Sequence, residues 1–295
     1  MSKAHRNTTF YFIGGTSLAL VCLLASASFG QSKRSKSDSN INAIGHRTIA
    51  RGPNFYSPDR EKELGVKLAL ETEKSTRLIE APLIQAYVEA VARRVEANSD
   101  KHIPLTIRLI DSETVDAFTL PGGYQYITHG LLLRLNTEGA LAAVLSRGIA
   151  RTALRSDTTI ATQSQLVRMA TVPLVKPPST NNSLNFDASD PVELKRWRDA
   201  ELDADYFGAQ YLYKSGYAPA CLIDLLQALG EPGKPVPETF RKFPALSVRL
   251  DALRKEIAEI LPPHGNAVIS TKDFEEFKAQ LRALKAEDNT PSPTI

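Results

Sequence analysis

The feature that most limits the fold is a Pro-Gly-Gly turn at residues 121–123, flanked by the β-rich runs VDAFTL and YQYIT. Proline fixes its own φ and glycine accepts positive φ, so the chain reverses direction here and the two runs form a hairpin. A third run, IPLTIRLI at 103–110, alternates apolar residues and adds a strand. Most other segments carry apolar residues at helical spacing. The sequence therefore predicts an α+β fold, mostly helical with a small antiparallel sheet.

Capping residues mark where the predicted helices begin. Ser57 can cap a helix that has Pro58 in its first turn, and a second helix follows Pro82. Asn136 or Thr137 can cap a third helix, which is expected to run through Ser156. A last helix near the C-terminus is amphipathic, so it packs on the core or, alternatively, binds a partner.

The N-terminal segment predicts export. Residues 1–30 combine a short basic stretch, an apolar stretch and small residues, which is typical of a signal peptide. The alternative is an uncleaved anchor helix, which would tether the chain to a membrane. We expect a periplasmic or other extracytoplasmic protein, a flexible linker at 31–53, a C-terminal helical extension at 261–287 and a disordered tail at 288–295.

The charge balance argues against nucleic-acid binding. The formal net charge is +3 and falls to +1 once Lys3 and Arg6 leave with the N-terminal segment. A nearly neutral chain has no basic surface for phosphates.

Four blocks, in order, carry a resemblance to a known family: FYSPDREKELG, VDAFTLPGGYQYITHGLL, AAVLSRGIARTALRS and ELDADYFGAQYLYKSGYAP. Together they resemble the H-E-x-x-H zinc-metallopeptidase family that includes the CAAX prenyl endopeptidase, HtpX and BepA. The resemblance implies a zincin-like fold, with the family domain at 54–260. In active relatives, two histidines and a second-helix glutamate hold zinc, and the glutamate after the first histidine acts as general base.

This chain departs from the family pattern at the positions that carry the chemistry. By the resemblance, Arg147 and Arg151 replace the two histidines and Gly148 replaces the catalytic glutamate. Glu201 keeps the third ligand position, Asp205 keeps the acidic residue behind it, and Phe243 replaces a downstream histidine.

Arginine has no lone pair to give a metal and keeps its positive charge at physiological pH. The sequence therefore predicts no cofactor, although active relatives use zinc. No two of the five histidines are four residues apart, and His129 and His264 are expected at the surface.

Losing zinc while keeping Glu201 would leave a carboxylate without its cation, which is costly if it is buried. We therefore predict that Arg147, Arg151 or both pair with Glu201 or Asp205. The alternative is that both arginines point to solvent.

The resemblance also implies a groove for an extended peptide beside the hairpin. Its expected residues are Ala117, Phe118, Thr119, Leu120, Pro121, Gly122 and Gly123. The functional hypothesis is an exported pseudo-protease that binds a peptide or an envelope protein in protein quality control. The alternative is an active zinc metalloendopeptidase with an atypical site. The long loop at 171–190 could cover the former active site.

Overall fold

The computed structural model describes residues 35–171, 190–230, 244–263 and 265–288. The described helices are α1 (Pro58–Lys74), α2 (Pro82–Glu96), α3 (His129–Arg134), α4 (Glu138–Leu154), α5 (Ser156–Thr171), α6 (Pro191–Lys214), α7 (Ala220–Leu229), α8 (Leu246–Glu259) and α9 (Lys272–Asp288). The strands are β1 (Thr106–Ile110), β2 (Ala117–Leu120) and β3 (Tyr124–Thr128). Short 3-10 turns lie at Ile41–Ala43 and Pro121–Gly123. The predicted α+β class is confirmed.

Two helices begin at the capping residues that the sequence indicates. The Ser57 hydroxyl accepts from the Arg60 amide at 3.2 Å, and α1 starts at Pro58. For α4 the cap is Thr137, whose hydroxyl accepts from the Ala140 amide at 3.1 Å. These side chains satisfy amides that have no partner inside their own helix.

The end of α4 differs from the expected run through Ser156. The helix stops at Leu154 because Arg155 adopts a left-handed backbone conformation, with φ of 53°. Its guanidinium donates to Glu61 at 2.5 Å and to the Tyr56 carbonyl at 2.6 Å. These long-range contacts offset the cost of an unusual conformation for a residue with a side chain.

The sheet is mixed, which corrects the expectation of an antiparallel sheet. Its strand order is β1-β3-β2, with β2 antiparallel to β3 but β1 parallel to β3. The connection at 111–116 leads the chain from β1 to the far side of the sheet, where β2 runs in the opposite direction. The hairpin then returns the chain as β3, between β1 and β2 and parallel to β1. This topology leaves β2 at the edge of the sheet.

Close backbone packing explains the glycines around the turn. Gly122 and Gly123 have φ of 76° and 90°, and a Cβ on Gly123 would lie 2.3 Å from the Pro104 carbonyl oxygen. On α1, a Cβ on Gly65 would lie 2.1 Å from the Pro121 carbonyl oxygen. The turn is therefore held between α1 and the segment before β1, which fixes the position of β2.

Helix α4 passes through the centre of the hydrophobic core. Leu141, Leu145 and Ile149 on α4 are completely buried, and so are Ala204 and Tyr211 on the neighbouring α6. Residues from α2, α7, α8 and the sheet belong to the same cluster. The core therefore holds α4 and α6 side by side.

Residues 35–53 differ from the flexible linker that their composition predicts. Ile44 and Ile49 are buried in the core, and Arg47 is only 5% exposed. The Arg47 guanidinium donates to Asp100 at 2.5 Å, and the same carboxylate accepts from the Gly45 amide at 2.8 Å. Apolar burial and a paired buried charge fix this segment, and polar composition alone did not reveal either.

The C-terminal helix α9 packs on the core through Phe274, Phe277 and Leu281. The Phe277 ring stacks on Tyr87 of α2 at 4.7 Å between centroids. His129 lies beneath this helix and is 5% exposed, with Nε2 3.3 Å from the Leu281 carbonyl oxygen. Its expected surface position is therefore wrong, because α9 covers it.

Several predicted features lie outside the described residues, namely the N-terminal segment at 1–34, His264 and the tail at 289–295. Among the described helices, none has both the length and the apolar character needed to cross a bilayer.

Candidate functional site

Two facing helices bring the predicted site residues together. Arg147 and Arg151 are four residues apart on α4, and Glu201 and Asp205 are four residues apart on α6. Residues at this spacing share one face of a helix. The packing of α4 on α6 therefore sets two guanidinium groups opposite two carboxylates.

The two arginines bridge the helices through direct ion pairs. Arg147 donates from Nε to Asp205 at 2.7 Å and from Nη2 to Glu201. Arg151 donates from Nη1 to the other Glu201 oxygen at 2.5 Å. Each oxygen of Glu201 thus accepts from a different arginine, and neither arginine points freely into solvent.

Two further residues extend the cluster beyond the four that were predicted. Arg249 on α8 donates to both Asp205 oxygens, at 2.7 Å and 2.8 Å. Asp157 on α5 accepts from Arg151 Nη2 at 2.5 Å. Three guanidinium groups now face three carboxylates, so the formal charges cancel. Sequence reasoning missed Asp157, since only the break at Arg155 turns α5 back toward Arg151.

Burial makes the charge balance important. Glu201 and Asp205 are 3% and 2% exposed. Burial alone would raise the pKa of Asp205, but Arg249 and Arg147 outweigh it and hold the pKa below its usual range. For Arg151, burial would lower the pKa, yet Asp157 and Glu201 raise it above the ordinary arginine value. Asp205 and Arg151 therefore stay charged in the folded protein.

Gly148 leaves room for a side chain from the sheet. A Cβ at this position would lie 2.4 Å from the amide carbon of Gln125 on β3. The Gln125 amide nitrogen donates to the Val144 carbonyl at 3.2 Å. The family resemblance places a catalytic carboxylate at this position. In this chain the neutral amide of Gln125, from strand β3, occupies the space instead.

A cavity of about 270 Å³ lies between the edge strand β2, helix α4 and helix α7. All residues of β2 line it, together with Pro121. The Thr119 hydroxyl accepts from Arg151 Nε at 3.1 Å, which connects the strand to the ion cluster. Of the expected groove residues, Gly122 and Gly123 do not line the cavity and lie buried in the turn.

The residues present do not fit a zinc ion. The cationic groups of Arg147, Arg151 and Arg249 surround the two carboxylates and occupy the hydrogen-bonding positions that a metal would need. Among the described residues, no group of three or more His, Cys, Asp or Glu side chains is placed to hold a metal. Phe243 and the loop positions 172–189 lie outside the described part of the chain.

The sequence also matches the model of a known protein family. The model of peptidase family M48 matches residues 79–257, more than half of the chain. The chain belongs to peptidase family M48. The match covers the sheet, α4 and α6, and the resemblance that the four sequence blocks suggested is confirmed.

Two curated relatives in the M48 family extend the comparison. The beta-barrel assembly-enhancing protease of Yersinia pestis is 24% identical over 255 residues, covering 81% of this chain and 52% of that protein. A putative beta-barrel assembly-enhancing protease of Vibrio cholerae is 26% identical over 155 residues, covering 48% of this chain and 31% of that protein. The chain therefore matches about half the length of the first relative, and a smaller share, 31%, of the second.

Proposed function

We propose that this M48-family chain is an exported, proteolytically inactive protein that binds an extended peptide along strand β2. The observation that carries the proposal is the pairing of Arg147 and Arg151 with Glu201. By the family resemblance, this pairing places two guanidinium groups where a metal ion would bind. The edge strand β2 and the cavity lie beside it.

The inactivity follows from the chemistry of the cluster. Hydrolysis by a metallopeptidase needs a metal to lower the pKa of a bound water to about 7. Arg147 and Arg151 cannot ligate the metal, and Gly148 has no side chain to accept the proton of that water. Of the carboxylates that line the cavity, Asp157 and Glu201 are held in ion pairs with Arg151, and Asp116 has no metal-bound water to deprotonate.

The binding role follows from the position of β2. The Thr128 amide donates to the Asp116 carbonyl at 3.0 Å, so residue 116 faces β3. Because backbone directions alternate along an antiparallel strand, the amide and carbonyl groups of Ala117 and Thr119 point to the free edge. A partner strand could bond to Thr119 there and place its side chains in the cavity.

The relatives suggest which clients to test. Their names describe a protease that enhances β-barrel assembly. We infer that the clients of this chain are extended segments of envelope proteins, such as unpaired strands of a β-barrel. The apolar stretch within residues 1–30 supports export to the compartment that contains such clients.

A metal and proteolysis assay tests inactivity. Purified full-length chain is analysed for zinc and incubated with casein, with and without a chelator. We expect far less than one zinc per chain and no chelator-sensitive cleavage. About one zinc per chain, together with cleavage that the chelator abolishes, would contradict the proposal.

A strand-addition assay tests the binding role with a fluorescent peptide of alternating valine and threonine. Thr119→Pro removes the outward amide, which an edge strand tolerates better than a central strand. Its matched control is Thr119→Val, which keeps the amide and loses only the hydroxyl. We expect peptide affinity to fall in the proline variant alone, with thermal melts to verify folding. Equal affinity in a folded proline variant would refute strand addition.

A further inference from the structure

The cavity beside β2 has a mostly apolar wall. Leu225 and Leu229 of α7 form one side, and Leu131 of α3 and Val144 of α4 form another. Trp197 of α6, whose ring lies 5.1 Å from the Arg151 guanidinium carbon, completes the lining next to the ion cluster. A space of about 270 Å³ lined in this way suits an aromatic side chain.

One polar group in this wall has an unmet hydrogen bond. Gln125 is 2% exposed and lines the cavity next to Gly148. Its amide nitrogen donates to the Val144 carbonyl, whereas its amide oxygen has no hydrogen-bond partner in the described part of the chain. Flipping the amide would set two carbonyl oxygens against each other, so the oxygen is the free group.

A buried acceptor without a partner is unfavourable, and a ligand that supplies a donor removes that cost. The donor should be neutral because the neighbouring cluster already balances three guanidinium groups with three carboxylates. A charged group beside Gln125 would find no unpaired opposite charge in that cluster. Asp116 also lines the cavity, but it precedes Ala117 at the start of β2, whereas Gln125 pairs with Thr119.

We propose that the cavity is a specificity pocket for an aromatic side chain with one neutral donor, the phenol of tyrosine or the indole of tryptophan. The ring lies among the apolar residues, and its O–H or N–H donates to the Gln125 amide oxygen. Gly148 makes the pocket possible, since any side chain there would displace the amide. This assignment rests on the proposed function, in which a client strand lies along β2 and supplies the residue.

Two small probes test the pocket without a bound strand. Toluene and p-cresol share a ring and a methyl group and differ only in the hydroxyl. Their binding to the full-length chain is followed by ligand-observed NMR and by the emission of Trp197, the chain's one tryptophan. We expect p-cresol to bind roughly tenfold more tightly than toluene, the range expected for satisfying a buried acceptor.

Gln125→Met removes the acceptor and keeps a side chain of similar length. The ratio of the affinities for p-cresol and toluene should therefore fall to about one, while toluene still binds. The matched control is Gln85→Met, since Gln85 makes a similar amide contact to the Ile107 carbonyl outside this cavity. The control should keep the preference for p-cresol.

The proposal is overturned if the wild-type protein shows no preference for p-cresol or binds neither probe, or if the preference survives in Gln125→Met. These results are separate from those for the proposed function. Binding of p-cresol without capture of the valine–threonine peptide would refute strand addition and leave the pocket. Capture of the peptide without a p-cresol preference would refute the pocket alone.

Discussion

Arg151 on α4 reaches Glu201 on α6 with 2.5 Å between its Nη1 atom and the carboxylate oxygen. Both side chains are nearly excluded from solvent, at 11% and 4% exposure. A short ion pair in such a place ties the two central helices together and makes each partner costly to remove alone.

The first prediction concerns Glu201→Gln. The variant leaves Arg147 and Arg151 short of a buried counter-charge, and losing one partner of a buried pair costs about 3–5 kcal/mol. Urea unfolding should show a loss of this size in the free energy of unfolding. The control is Asp199→Asn, which breaks the exposed pair with Lys195 and should cost at most about 1 kcal/mol. Similar losses in the two variants would argue that the cluster is not structural.

The second prediction is a pH dependence that originates at Asp205. Its folded-state pKa lies below the usual value because Arg249 and Arg147 outweigh burial. The resulting stabilisation is present above the unfolded pKa of about 3.9 and is lost as pH falls toward the lower folded pKa. The stability gap between wild type and Asp205→Asn should therefore be large at pH 7 and shrink below about pH 4. If the difference in the free energy of unfolding stayed constant over this pH range, Asp205 would not be the source of the pH dependence.

The third prediction concerns Gly148→Ala. Alanine favours a helix by about 1 kcal/mol over glycine. Here its Cβ would lie 2.4 Å from the Gln125 amide carbon, and such overpacking typically costs about 1–3 kcal/mol. We expect a net loss of about 1 kcal/mol in the free energy of unfolding. In the Gln125→Ala background the same change should become neutral or stabilising, and strict additivity in this double-mutant cycle would contradict the contact.

The fourth prediction concerns Lys278 on α9. Its ammonium group donates to the carbonyls of Leu133 and Leu135 at 2.6 Å and 2.7 Å, and to the Leu132 carbonyl at 3.1 Å. These contacts cap the end of α3 and fasten α9 to it.

Burial, and to a lesser extent Arg282, lower the pKa of Lys278 to about 8. The folded chain then binds fewer protons at this group than the unfolded chain between about pH 8 and pH 10.4. Across that window the stability of wild type relative to Lys278→Met should rise with pH. Urea unfolding of both proteins at pH 7.5 and pH 9.5 measures this difference in the free energy of unfolding. If wild type became less stable relative to Lys278→Met at the higher pH, the prediction would be wrong.

Local chemistry allowed much of the fold to be anticipated from the sequence. The caps at Ser57 and Thr137 and the turn at 121–123 act within a few residues, so their consequences can be read directly from the chain. The sequence-based predictions were wrong where contacts between residues far apart in the chain determine the structure. Ile44 and Arg47 look like part of a polar linker until Asp100 and the core are placed beside them.

The candidate site shows the same division. The sequence by itself determined that Arg147, Gly148 and Arg151 stand where the family resemblance places the metal ligands and the general base. It determined this because the properties of those side chains, charge and the lack of a lone pair, belong to each residue alone. Their four-residue spacing also placed the two arginines on one helical face.

Only the tertiary structure decided what those side chains do. The packing of α4 on α6 pairs the arginines with Glu201 and Asp205, and the turn into α5 adds Asp157. The hairpin brings Gln125 over Gly148 and creates the cavity. These contacts join residues far apart in the chain, and ion pairing and close packing depend on distances that no local sequence pattern specifies.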